Sequence, residues 1–202
     1  MRLCWTLPLT VALCITPTLG QSVPSTSTQY FPKSSLDSRG DSLKSNWYSS
    51  QLRALEEPSL FDLAKTPSAE SYRFLWLRSF NHPIAIRLDP RPDGTSVLTT
   101  KVASGEGGFH PGVVDENSSR VLTKNETQTF LSKVDKLGFW QAPNPVNDQG
   151  GTDGSQWIIE GVKGGRYHVI DRWTPEKGVA RELGMMLAFD LAKMSIPKRE
   201  IY

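Results

Sequence analysis

SQWIIEGVKGGRYHVIDRW, residues 155–173, is the stretch that decides the fold. Two apolar and aromatic runs, Ser155 to Val162 and Arg166 to Trp173, flank Lys163-Gly164-Gly165. Paired glycines between such runs predict a β-hairpin, because a tight turn needs residues that tolerate positive φ. The register is open at this point. A three-residue turn sets Glu160 opposite His168, whereas a two-residue turn puts Glu160 on one face with Val169 and Asp171.

Helical signals surround the hairpin. Downstream, Thr174 as N-cap and Pro175 at the first position predict a helix that carries Leu183, Met186, Leu187, Phe189, Leu191 and Met194 and stops before Pro197. Its middle turn is apolar nearly all round, so it reads as the most buried helix. Upstream of a loop from Pro143 to Gly154, Thr123-Lys124-Asn125-Glu126 is a capping box. The helix it opens runs to about Leu137, with Phe130, Leu131, Val134 and Leu137 inward and Gly138 as the left-handed stop.

Further upstream the period falls to two. Tyr72 to Phe80 sends Tyr72, Phe74, Trp76 and Arg78 one way and Arg73, Leu75, Leu77 and Ser79 the other. Ile84 to Leu88 and Ser96 to Val102 complete an antiparallel meander. Ala103 to Leu122 reads as a long loop, and long loops inside compact domains are usually functional or disordered. Asp41 to Leu55 reads as an amphipathic helix with Leu43, Trp47 or Tyr48, Leu52 and Leu55 on one stripe, ended by Glu57-Pro58. A short turn, Leu60 to Ala64, follows. The expectation is an α+β fold: a single antiparallel sheet of about five strands with helices packed on one face. Residues 41–202 form one domain, with 41–66 as a helical arm.

The first residues carry a different signal. Met1-Arg2 precedes an apolar run from Leu3 to Ile15, then Pro17 and small residues up to Gly20. That order predicts a signal peptide over residues 1–20, and the run is shorter than the roughly 20 residues a membrane span needs. The only cysteines, Cys4 and Cys14, lie in it. A mature chain without them has no disulfide, thiol nucleophile or thiolate metal site. Residues 21–40 hold six Ser, two Thr and two Pro and read as a disordered linker. The formal net charge of +2 drops by one with Arg2, so no field favours nucleic acid or anionic lipid. The expected location is the periplasm or the extracellular space, with no membrane span after cleavage.

The densest polar constellation is Glu160, His168, Asp171 and Arg172, flanked by Trp157, Tyr167 and Trp173. A carboxylate beside a histidine suits general acid–base work, with Arg172 to hold an anion; it equally suits a cross-strand polar pair on a solvated face. Phe109 and His110, in the Gly-rich loop Ser104 to Gly112, are binding candidates beside the three aromatics. Gly105-Glu106-Gly107-Gly108 is no phosphate loop, since no Lys-Ser/Thr follows, and no cofactor is implied. His82, His110 and His168 lie too far apart in sequence for a typical zinc pattern. Asp148 and Asp153 lack the ligand spacing of a calcium loop. Arg39-Gly40-Asp41 is a short adhesion-type tripeptide, and Asn117 and Asn125 sit in formal glycosylation sequons.

Asp153-Gly154-x-x-Trp157-x-x-Glu160-Gly161, then Gly165-x-Tyr167-His168-x-x-x-Arg172-Trp173-x-Pro175, resembles a pattern of uncharacterised exported bacterial proteins. Phe74-Leu75-Trp76-Leu77-Arg78-x-Phe80-x-His82-Pro83 is similar to it too. The resemblance implies an exported bacterial domain and supplies no chemistry. The expected function is a non-enzymatic binding or structural module that meets an envelope or extracellular ligand or protein. The alternative is a small hydrolase or transferase using Glu160 and His168.

Overall fold

In the computed structural model of the chain, which describes residues 1, 28–36, 41–144, 151 and 153–202, the hairpin turns on two residues. Gly164 and Gly165 have φ of 58° and 75°, which a side chain would resist. Lys163 therefore pairs with Arg166, and Glu160 with Val169. The expected signal segment, apart from Met1, and the Arg39-Gly40 pair lie outside the described residues, as does Asp148.

Six strands form one antiparallel sheet: β1 (Glu70–Arg78), β2 (Ile84–Pro90), β3 (Ser96–Ala103), β4 (Val114–Leu122), β5 (Ser155–Lys163) and β6 (Arg166–Trp173), in the order β4-β3-β2-β1-β5-β6. The α+β class with a single sheet holds, and the strand count is corrected from five to six. The added strand, β4, lies where a long loop was expected. Asp115 to Ser119 are exposed on the outer edge of the sheet, so β4 shows no apolar alternation. Charged and polar residues on an edge also oppose pairing with another chain.

The capping box forms as expected. Thr123 Oγ1 accepts from the Glu126 amide at 3.2 Å, and Glu126 Oε2 accepts from the Thr123 amide at 2.8 Å. The helix it opens, α3 (Lys124–Lys136), carries the chain from the β4 edge back to β5. The last helix starts later than Thr174. The Thr174 amide donates to Ser155 O at 2.8 Å, so the strand ladder claims the residue meant to cap a helix. The helix α4 (Val179–Met185) begins only after Gly178 and runs on as a π-helical turn, Met186–Leu191.

Strand pairing fixes what each face of the sheet carries. Tyr72, Phe74 and Trp76 share one face with Ile84, Ile86, Leu88, Trp157, Ile159 and Ile170. Phe130 and Val134 of α3 and Leu183 and Leu187 of the last helix close over them. The opposite face carries Leu75, Leu77, Ala85, Ile158 and Val169, covered by Tyr48 and Leu52 of α1 (Asp41–Ala54) and by Leu55 just after it. Helices thus cover both faces rather than one, because the arm folds under the sheet. A short helix, α2 (Leu60–Leu63), capped by Ser59, follows α1. Part of the expected linker is also ordered: Tyr30, Phe31 and Leu36 are buried with α1. Three apolar side chains anchor that stretch despite its Ser/Thr-rich composition. Among the described residues no helix is long and apolar enough to cross a membrane.

Candidate functional site

The two-residue turn splits the expected polar constellation. Glu160 and Asp171 fall on the arm side of the sheet, and His168 and Arg172 on the other. Glu160 and His168 therefore form no acid–base pair.

Glu160 is fully buried. Its Oε2 accepts from Arg73 Nε at 2.8 Å and Nη2 at 2.5 Å, and its Oε1 from the Tyr167 hydroxyl at 2.9 Å. Arg73, also fully buried, donates to Pro58 O at 2.6 Å and lies 3.5 Å from Glu57. Glu57 takes Arg87 at 3.0 Å and Lys101 at 3.4 Å. Burial pushes the Glu160 carboxyl up, against the pull of Arg73 and Tyr167. Burial acts to lower Arg73, but Glu160 and Glu57 outweigh it and raise it. Burial, aided by Glu160, raises the Tyr167 phenol well above its usual range, so it stays a donor. These contacts tie Glu57 and Pro58 of the arm to Arg73 and Glu160 of the sheet, so the cluster acts as a clasp between the two. Asp171 plays a similar part, holding Lys44 Nζ at 2.9 Å and the Tyr48 hydroxyl at 3.1 Å.

On the other face His168 packs edge-on to Phe139, with ring centroids 5.0 Å apart. Burial lowers its pKa, and Arg166 and Arg172 add to the shift against a backbone bond to Ala142. Arg172 donates to Asn144 Oδ1 at 2.9 Å and to Pro143 O at 2.5 Å, so it secures a loop. Trp157 is fully buried and offers no exposed platform. Trp173 is half-buried beside Gly154, where a Cβ would stand 2.4 Å from its ring. Among the described residues no three His, Cys, Asp or Glu side chains gather as a metal site.

A different place in the fold stands open to solvent: the end of the sheet where the β1–β2 turn meets the β3–β4 connection. Phe80 and Phe109 are 58% and 60% exposed, with ring centroids 6.4 Å apart. Large exposed aromatics in contact are unusual on a surface, since each leaves apolar area in water. The base beneath them is tightly tied. Trp47 Nε1 and Gln51 Nε2 donate to Gly107 O at 2.9 Å and 3.2 Å, and Gln51 also reaches Phe109 O. The Gly107 amide donates to Asn81 O at 2.9 Å, and His82 Nδ1 bonds Gly105 O at 2.8 Å. A Cβ on Gly107 would stand 2.7 Å from Arg78 O, so only glycine lets the loop lie on β1. His110 is exposed at the same tip.

Beside this pair, Phe80, Asp153, Gly154, Thr174 and Tyr202 line a cleft of about 290 Å³. Thr174 holds a φ of 40° there, a costly state for a β-branched residue. Its hydroxyl accepts from the Ser155 amide at 3.0 Å. A mostly apolar cleft with a few polar groups is the usual form of a binding site. Phe109 was legible in sequence as an aromatic in a glycine-rich loop. Phe80 was not, because its partner lies across the fold and no local pattern marks it. No protein-family model matches the chain, and no curated protein sequence does so either.

Proposed function

We propose that the protein is an exported, non-enzymatic binding module that uses the Phe80–Phe109 end of its sheet to hold an apolar group of an envelope or extracellular partner. The observation that carries this reading is the exposed aromatic pair on a base held by Trp47, Gln51, Asn81 and His82. Rigid aromatics supply contact area at little entropy cost, which is why they dominate binding hot spots. Export rests on the apolar leader, and bacterial origin on the resemblance of the hairpin pattern. The dispersal of Glu160, His168, Asp171 and Arg172 into structural contacts supports a role without catalysis.

Thermal shift against peptidoglycan fragments, envelope polysaccharides and apolar peptides tests the reading. A member of one class should raise the melting temperature of the wild type and leave Phe80→Ser/Phe109→Ser unmoved. Turnover of any of these compounds, with none of them stabilising the chain, would sink it.

A further inference from the structure

Residues 196–202 run as a strap over the same end of the sheet, on the side of the last helix. Every residue from 192 to 202 keeps part of its surface in solvent. The groups beneath are the opposite: Trp157 and Ser155 are fully buried, and Arg78 is 4% exposed. Trp157 Nε1 donates to Tyr202 O at 2.8 Å, and the Ser155 hydroxyl donates to the same oxygen. The Tyr202 hydroxyl donates to Asn81 Oδ1 at 2.8 Å, and Asn81 Nδ2 donates to Glu200 Oε2 at 3.3 Å. The recess thus reads three features of the strap, whose residues Lys198–Glu200 form a 3-10 turn: a main-chain carbonyl, a carboxylate and a phenol two residues beyond it.

The strap satisfies this recess incompletely. Arg78 Nη1 stands 3.5 Å from Glu200, and Nη2 stands 3.4 Å from His82 O. Arg78 Nε has no hydrogen-bond partner among the described residues. A guanidinium–carboxylate pair with good geometry closes to about 2.8 Å and engages two nitrogens. A buried guanidinium left short of that favours any occupant that can close the gap.

We propose that the recess formed by Arg78, Asn81, Ser155 and Trp157 is a peptide-recognition site for a turn-forming segment that carries a carboxylate two residues before an aromatic residue, with the strap as its resident and displaceable occupant. The partner is a protein that presents such a segment. The recess adjoins the Phe80–Phe109 surface, sharing Asn81 with its base and Tyr202 with the neighbouring cleft, but its four residues exclude Phe80 and Phe109, so its test does not depend on what binds there.

The test titrates the full chain with the synthetic peptide PKREIY, which copies residues 197–202, and follows tryptophan fluorescence and heat. In the wild type the strap competes. In Glu200→Ala/Tyr202→Ala its hold is loosened, and the peptide should bind at least about tenfold tighter, because less of the recess is occupied. A peptide with Gln in place of its Glu, or Arg78→Lys in the loosened chain, should weaken that binding. Equal or absent binding in the wild type and the loosened chain would overturn the proposal. So would unfolding of the loosened chain by circular dichroism, which would make the strap part of the core, or indifference to the Glu-to-Gln change.

Discussion

The two faces of the sheet are both buried, yet they are held by different physics. The face under α3 and the last helix is apolar almost throughout, from Tyr72, Phe74 and Trp76 across to Trp157 and Ile170. The face over the arm mixes Leu75, Leu77 and Ile158 with Arg73, Lys101, Glu160 and Asp171, all buried. Apolar burial is favourable however the partners are arranged, at roughly 25 cal/mol per Å². Buried charge is favourable only when each group meets its partner, since desolvation can exceed the Coulombic gain. The dry face therefore supplies bulk stability. The charged face specifies one seat for the arm, because Glu57 satisfies Arg73, Arg87 and Lys101 only where the arm now lies. That seat matters for the proposed surface: the arm also contributes Trp47 and Gln51, which tie down the loop bearing Phe109.

The comparison breaks most visibly at Arg73. Arg73→Ala leaves Glu160 buried without its cation and should cost about 3–5 kcal/mol, read from urea unfolding. Phe74→Ala on the dry face should cost a similar amount, about 3–5 kcal/mol. The two losses differ in their repair. Arg73→Met/Glu160→Leu/Tyr167→Phe replaces the clasp with apolar groups and should recover most of the stability, whereas the cavity at Phe74 has no such remedy. If the triple variant stays as weak as Arg73→Ala, the charged face is contributing bulk stability after all.

A smaller effect tests how closely the dry face is packed. A Cβ on Gly184 would stand 2.7 Å from the Trp157 ring and 3.0 Å from Phe74. Gly184→Ala should therefore cost about 1–3 kcal/mol by overpacking, and an unchanged urea midpoint would show a looser fit than described.

The smallest effect is in pH. Burial lowers the folded pKa of His168 below its ordinary 6.5. The unfolded chain then binds the proton more readily, so stability is full above about pH 6.5 and is lost as pH falls through the folded value. His168→Phe should flatten the decline between about pH 7 and about pH 5. An unchanged slope in the variant would assign that decline to other groups.

Much of the scaffold was legible locally. The Gly164-Gly165 turn, the Thr123–Glu126 box and the period-two run at Tyr72 each carry their signal within a few residues. What was missed depends on distant partners. β4 pairs through its backbone with β3, and its exposed side chains erase the alternation that marks a strand. Tyr30, Phe31 and Leu36 look like stray residues in a polar tract until α1 gives them a cover. Glu57 reads as a helix stop before Pro58, and nothing nearby announces three cations waiting across the sheet. Thr174-Pro175 was misread because a local capping signal lost to a strand ladder extended by Ser155.

The proposed surface is tested most directly with an apolar probe, anilinonaphthalene sulfonate, titrated into the wild type and Phe80→Ser/Phe109→Ser, with urea unfolding of both in parallel. The account predicts saturable binding in the wild type, loss of that binding in the variant, and matching unfolding midpoints. Equal dye binding by the two chains, or a variant that unfolds more readily, would place Phe80 and Phe109 in the scaffold and contradict a role in binding.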